Sequence, residues 1–222
     1  MHPSVSVLQL DTQFPRVPGD VACPDTYNGD IEIIRVPGAL VRNIVISRPG
    51  DIDIQPFEDA VKHARGEVIV TSCGFLSFWQ EHLQSCTSRP FISSSLVALD
   101  RLSDRFAPQN LLILTFDALS LNEAHLGDHR RYAGAICGLS PQMHLHDVIS
   151  TGQSELKTDV ASDEMIELVR KSRMHSHKHI LLECTNMPPY KQALKAEFGL
   201  PVSDILSEIE RIRPNTIADA FL

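Results

Sequence analysis

Ile180-Leu181-Leu182-Glu183-Cys184-Thr185-Asn186-Met187-Pro188-Pro189-Tyr190 reads as a buried strand that delivers a cysteine to the start of a helix. An apolar-leaning run without a turn former precedes Cys184, and Pro188 with Pro189 suits the first turn of a helix, where a missing N–H costs little. Cys184 therefore stands at the carboxyl end of a strand. Val68-Ile69-Val70-Thr71-Ser72-Cys73-Gly74-Phe75 has the same form, an apolar β-branched run ending at Cys73 and followed by Leu76 to Leu83 at helical spacing. Counted outward from the two cysteines, Pro90 and Pro201 each lie 17 residues downstream and open a short apolar run leading into Ser. Upstream, Val5 to Asp11 and Leu111 to Asp117 are both strands ending in Asp. The cysteines are 111 residues apart in a chain of 222, so an internal duplication of one α/β unit is the economical reading.

Between these markers the chain alternates strands and helices. Thr12 to Asp30 holds Pro15, Pro18, Gly19, Pro24 and Gly29 and reads as a long loop. Ile31 to Val36 and Val41 to Ile46 each suit a strand, with Pro37-Gly38 turning between them. Pro56 to Arg65 is a helix stopped by Gly66, and Ser95 to Phe106 an amphipathic helix with Leu96, Leu99, Leu102 and Phe106 as its apolar stripe. Ala107-Pro108-Gln109 is the crossover. In the second half Ser120 and Glu123 suggest a capping box, Ala133 to Leu139 a strand, Asp163 to Met174 a helix, and Lys191 to Phe198 a helix ending at Gly199. Such alternation implies parallel sheets with right-handed crossovers, whose sites lie at the carboxyl ends of the strands. The expected fold is therefore α/β: two pseudo-symmetric three-layer αβα units with parallel sheets and an active site in the cleft between them. Residues 1–106 form the first half and 107–202 the second, with a helix from Ser203 to Arg213, within 203–222, packing back on the first.

Composition narrows the function. With 43% hydrophobic and 22% charged residues the chain is an ordinary globular protein rather than a disordered one. A net charge of −8 argues against nucleic acid or an anionic membrane surface as partner, since both need clustered Lys and Arg. The N-terminus lacks a basic segment followed by a long apolar one, no apolar run approaches the length of a membrane span, and the expected location is cytoplasmic. Five cysteines without Cys-x-x-Cys spacing suggest neither a disulfide framework nor a zinc knuckle.

Leu10-Asp11-Thr12, Thr71-Ser72-Cys73-Gly74-Phe75, Thr115-Phe116-Asp117 and Glu183-Cys184-Thr185-Asn186-Met187-Pro188 together resemble the aspartate/glutamate racemase superfamily, which includes hydantoin racemases, maleate isomerases and arylmalonate decarboxylases. The resemblance spans nearly the whole chain, and the paired cysteines are its specific part. It implies a cofactor-free enzyme with Cys73 and Cys184 on opposite walls of one cleft. Glutamate racemases commonly carry Asn-Thr after the first cysteine and Thr-His after the second. Gly74-Phe75 and Thr185-Asn186 stand there instead, which turns the expectation away from glutamate.

The chemistry explains the pair. A racemase removes a proton from one face of a tetrahedral carbon and supplies one to the other, so one thiolate and one thiol suffice. A helix N-terminus lowers a thiol pKa, and each cysteine precedes an expected helix. The same termini offer N–H groups to a carboxylate. Asp11, Thr12, Ser72, Gly74, Phe75, Thr115, Asp117, Thr185 and Asn186 are the candidate substrate-binding residues. Asp11 and Asp117 also suit plain turns, and Arg16, able in principle to pair with a substrate carboxylate, reads first as a solvated loop arginine. Cys23, Cys86 and Cys137 carry no assigned chemistry. His175, His177 and His179 read as surface rather than as metal ligands, the metal reading is set aside for His144 and His146 as well, and neither a metal nor another cofactor is expected. The sequence thus favours a cofactor-independent racemase or epimerase of an amino acid or related small carboxylate, with a homodimer as default. The alternatives are a maleate-type cis-trans isomerase or other carbon-acid lyase on the same fold, a Cys/His hydrolase, and a non-catalytic small-ligand binder.

Overall fold

The structure, a computed structural model, describes residues 2–222. The first half runs β1 (Val5–Gln9), β2 (Ile31–Arg35), α1 (Val41–Ile44), α2 (Gln55–His63), β3 (Val68–Thr71), α3 (Gln80–Ser85), β4 (Phe91–Ile92) and α4 (Leu99–Leu102). The second runs β5 (Leu111–Thr115), α5 (Glu123–Leu126), β6 (Ile136–Gly138), α6 (His144–Thr151), α7 (Thr158–Ser172), β7 (His179–Leu182), α8 (Lys191–Phe198), β8 (Val202–Ser203) and α9 (Ile205–Ile212). Each half has one four-stranded sheet, in the orders β2-β1-β3-β4 and β6-β5-β7-β8, with every pairing parallel. The two halves share their register as well as their order. Leu8 pairs with Thr71 and Leu114 with Leu182, so in both sheets the cysteine and the Asp stand at the same steps past the last pairing. The two-unit α/β fold read from the duplicated strand–cysteine–helix pattern is present.

Alternation along the strands sorts the core. Leu8 and Ile69 face one side of the first sheet with Phe57, Ala60 and Val61 of α2, while Val5, Val7, Val68 and Val70 face the other. That second face is covered by Ile205, Leu206 and Ile209 of α9. The second sheet buries Leu112, Leu114, Ile180 and Leu182 against Val148, Met165, Val169 and Leu194.

Several local expectations need correction. Val41 to Ile46 is not a strand: Val41, Ile44 and Val45 fall at helical spacing, and a short helix lets them turn inward together. Ser95 to Phe106 is a 3-10 turn over Ser95–Ala98 followed by α4, capped by Ser94, whose hydroxyl accepts from the Leu96 N–H. The capping box belongs to Asn122 and His125 rather than to Ser120 and Glu123, because Ser120 is drawn back to the Asp117 carboxylate. The strand expected from Ala133 starts only at Ile136, the preceding residues forming 3-10 turns, and the helix expected from Asp163 begins at Thr158. His177 and His179 are buried, the latter on β7 with its Nε2 2.9 Å from Ser203 Oγ, so they are not surface residues. Among the described residues, no helix is long and apolar enough to cross a membrane.

Candidate active site

The carboxyl ends of β3 and β7 converge. From β3 the chain passes Ser72 and an extended Cys73 into a 3-10 turn over Gly74–Trp79, and from β7 it passes Glu183 and Cys184 into Thr185 and Asn186. Each turn is held from the other half. Thr185 Oγ1 donates to the Ser72 carbonyl at 2.6 Å, and Ser95 Oγ donates to the Leu182 carbonyl at 2.7 Å. Ser72 Oγ also accepts the Leu10 N–H at 3.0 Å, fixing the end of β1.

Between the turns lies a narrow cavity of about 30 Å³, lined by Cys73 and Cys184 together with Ser72, Gly74, Phe75, Thr185 and Asn186. Its remaining walls are Leu10, Phe14, Val41, Val45, Phe116 and Ile149, with Arg16 and Glu183 as the charged members. Both cysteines are free and buried. Phe14, Val41 and Ile149 also line an adjoining surface groove of about 360 Å³ and thus separate the cavity from it.

The other expected binding residues stand apart from the cavity lining. Asp11 and Thr12 line the outer groove, where Asp11 pairs with Arg35 at 3.5 Å and accepts the Gly38 N–H. Asp117 is a turn residue, its two oxygens accepting from the Leu119 N–H and the Ser120 hydroxyl. Thr115 sits behind the cavity and donates to Glu183 Oε2 at 2.6 Å. Gly74 has a definite reason to be glycine, since a Cβ there would collide with the Glu183 carboxylate.

Arg16 is not a solvated loop arginine. Its side chain is 10% exposed, its Nη1 reaches both oxygens of Asp20 at 3.2 Å, and its Nη2 donates to Thr12 Oγ1. Asp20, itself buried, also accepts 2.6 Å from Asn186 Nδ2, and Asn186 Oδ1 faces the Cys184 thiol at 3.8 Å. The long loop is thereby anchored to the second cysteine's turn. Gly19 makes this approach possible, with φ +96° and its Cα against Pro189, where a side chain would strike backbone.

The electrostatics reverse one expectation. Neither thiol is activated in the resting site. Burial, reinforced by the Glu183 carboxylate, pushes Cys73 up to about 12 against weak opposition from the Phe75 N–H and Arg16. The same two causes, in that order, raise Cys184 well above an ordinary thiol. Short turns give less help than long helices, and desolvation outweighs them. Glu183 is itself raised to about 7 by burial, the Thr115 hydrogen bond opposing. Three potential metal ligands, Glu58, His82 and Cys86, have donor atoms within 4.8 Å of one another, but they lie on α2 and α3 outside the cavity lining.

Glu183, Asp20, Phe14, Phe116, Val41, Val45 and Ile149 escaped the sequence reading. Only Glu183 carried a signal, a carboxylate interrupting an apolar run beside a cysteine.

No family model matches the chain. It is 30% identical to a dimethylsulfoniopropionate lyase of Durusdinium sp. clade D over 92% of this chain and 72% of that protein. It is 28% identical to dimethylsulfoniopropionate lyase 3 of Emiliania huxleyi strain CCMP1516 over 93% of this chain, but only 58% of that longer protein. In fold it superposes on allantoin racemase from Pseudomonas fluorescens with a TM-score of 0.58, covering 94% of this chain and 88% of that one at 11% identity. These relatives overturn the expectation of an isomerase: the proteins similar in sequence are named lyases, and the racemase likeness is one of fold. The second reading drawn from the sequence, carbon-acid lyase chemistry on the same scaffold, is the one they favour. On the α/β fold of the aspartate/glutamate racemase superfamily, the chain belongs to the family of the dimethylsulfoniopropionate lyases.

Proposed function

We propose that this chain is a lyase that removes the α-proton of dimethylsulfoniopropionate and expels dimethyl sulfide, leaving acrylate. The observation that carries the reading is that two thiols share one narrow, largely apolar cavity with a single guanidinium. Elimination begins, as racemisation does, with a proton taken from the carbon next to a carboxylate, so the same scaffold serves both. The two reactions part after that proton leaves. One cysteine, as thiolate, takes the α-proton. The C–H electrons become the Cα–Cβ double bond, and the Cβ–S bond breaks with its pair going to sulfur. The sulfonium leaves as neutral dimethyl sulfide, so no acid has to protonate it, and one base is enough.

Arg16 and the backbone N–H groups of the cysteine turns would hold the substrate carboxylate and stabilise charge building on it. Phe14 and Phe116 line the cavity and give apolar contact to the sulfonium, which carries methyl groups and no hydrogen-bond donor. We infer that the five unpaired cysteines suit a reducing, cytoplasmic setting.

The test is dimethyl sulfide release from dimethylsulfoniopropionate, measured by headspace gas chromatography for wild type, Cys73→Ser and Cys184→Ser. Loss of the base is expected to cost about 10²–10⁴-fold in kcat. Loss of the other thiol should act mainly on KM. A wild-type protein releasing neither dimethyl sulfide nor acrylate would refute the reading, and so would full activity in both variants.

A further inference from the structure

The Glu183 carboxylate is the most costly feature of the cavity. It is 1% exposed. One oxygen accepts from Thr115, and the other, Oε1, is buried with no hydrogen-bond partner. Arg16, the guanidinium on the same cavity, is engaged by Asp20 rather than by Glu183. A buried carboxylate with half its acceptors idle is expensive unless something compensates it. The fold has nevertheless made space for it, because Gly74 has no side chain to displace it.

Resting on the lyase reading, we propose that Glu183 is the anionic recognition element for the cationic end of a zwitterionic substrate, and that the site therefore selects propionates bearing an onium group on Cβ over their uncharged carbon isosteres. An onium group suits this position better than an ammonium would. It has no N–H to satisfy, and it meets the carboxylate through its field while its methyl groups contact the apolar lining of the cavity. The carboxylate also acts on the thiols. Neither cysteine readily ionises, because burial opposes the thiolate and the Glu183 charge adds to that opposition. An onium cation placed beside Glu183 offsets the second of these causes, so arrival of the substrate lowers the cost of forming the thiolate. Glu183 thus couples recognition to activation of the base.

The experiment uses two ligands of equal shape, 3-(trimethylammonio)propionate and 4,4-dimethylpentanoate, which differ in carrying a charged nitrogen or a neutral carbon. Calorimetric titration of the wild type at pH 8, above the Glu183 value of about 7, should show about tenfold or greater preference for the cation. In Glu183→Gln the ratio should fall to near one, and in Glu183→Asp, which keeps the charge, most of it should remain. No preference in the wild type would overturn the proposal, a result that stands even if the Gln variant fails to fold. A preference that survives in a folded Gln variant would overturn it too, by placing recognition on the aromatic rings alone. Acrylate and trimethylamine release from the ammonium ligand is followed in the same samples, so binding is read apart from catalysis: a protein that released no dimethyl sulfide yet kept a Glu183-dependent cation preference would end the lyase reading and leave this one intact.

Discussion

Glu183 also writes itself into the protein's stability. Its carboxyl is raised by burial from 4.5 to about 7, so the folded chain holds a proton there that the unfolded chain has already released. Between those values the native state binds more protons, and stability must fall as pH rises. The protonated form contributes fully below about 4.5, and the contribution is lost by the time pH passes about 7. The loss is on the order of 3 kcal/mol. Urea midpoints of the wild type taken from pH 5 to 8 should therefore decline, and Glu183→Gln should flatten that slope. Equal slopes would mean the carboxylate is better solvated than its burial implies. At this scale the two cysteines were legible because the duplication gave each a matched neighbour against which to be checked. Glu183 and Arg16 were not, because nothing in a single sequence distinguishes a charge buried by distant residues from one in water. Arg16 is buried by Asp20 and Phe14, whose positions depend on how the loop folds back.

Elements announced themselves in proportion to how much of their stability is local. The central strands β1, β3, β5 and β7 are largely apolar, buried on both faces, and were readable from pattern alone. Helix α1 was not, since four residues carry little periodicity and β-branched composition pointed to a strand. Helix α9 combines both kinds of signal. Its place as a helix returning to the first half was read from the pseudo-symmetry, but its anchor was not: Asp204 caps its N-terminus through the Ser207 N–H and forms a 2.9 Å ion pair with Lys191 at the start of α8, both side chains being essentially buried. Removing one member of such a pair strands the other in the core. Lys191→Met should accordingly cost about 3–5 kcal/mol by urea unfolding. A change below about 1 kcal/mol would show that Asp204 finds sufficient partners in the cap alone.

Across the whole molecule the catalytic candidates occupy the seam between halves, and the seam is nearly shut. A cavity of about 30 Å³ cannot admit dimethylsulfoniopropionate without movement, and Phe14, Val41 and Ile149 form the partition toward the outer groove. Phe14→Ala should therefore speed alkylation of Cys73 and Cys184 by iodoacetamide severalfold, read per peptide by mass spectrometry. Cys137 on β6 is the internal control, because general loosening would accelerate it equally and would discount the partition. The overall fold was legible from one repeated pattern, whereas the closure of the site depends on contacts between a loop, α1 and α6 that no local period encodes. The covering of the first sheet by α9 has a further bearing, on how the chain is made. Val5, Val7, Val68, Val70 and Ile92 wait for Ile205, Leu206 and Ile209, residues synthesised well after the strands they cover. Until then an apolar sheet face stays open on the nascent chain, the kind of surface that invites chaperones and mispairing. Contacts so distant in sequence slow folding. The first half, though complete in its own strands by Ile92, becomes native only when α9 has been made and has docked on it.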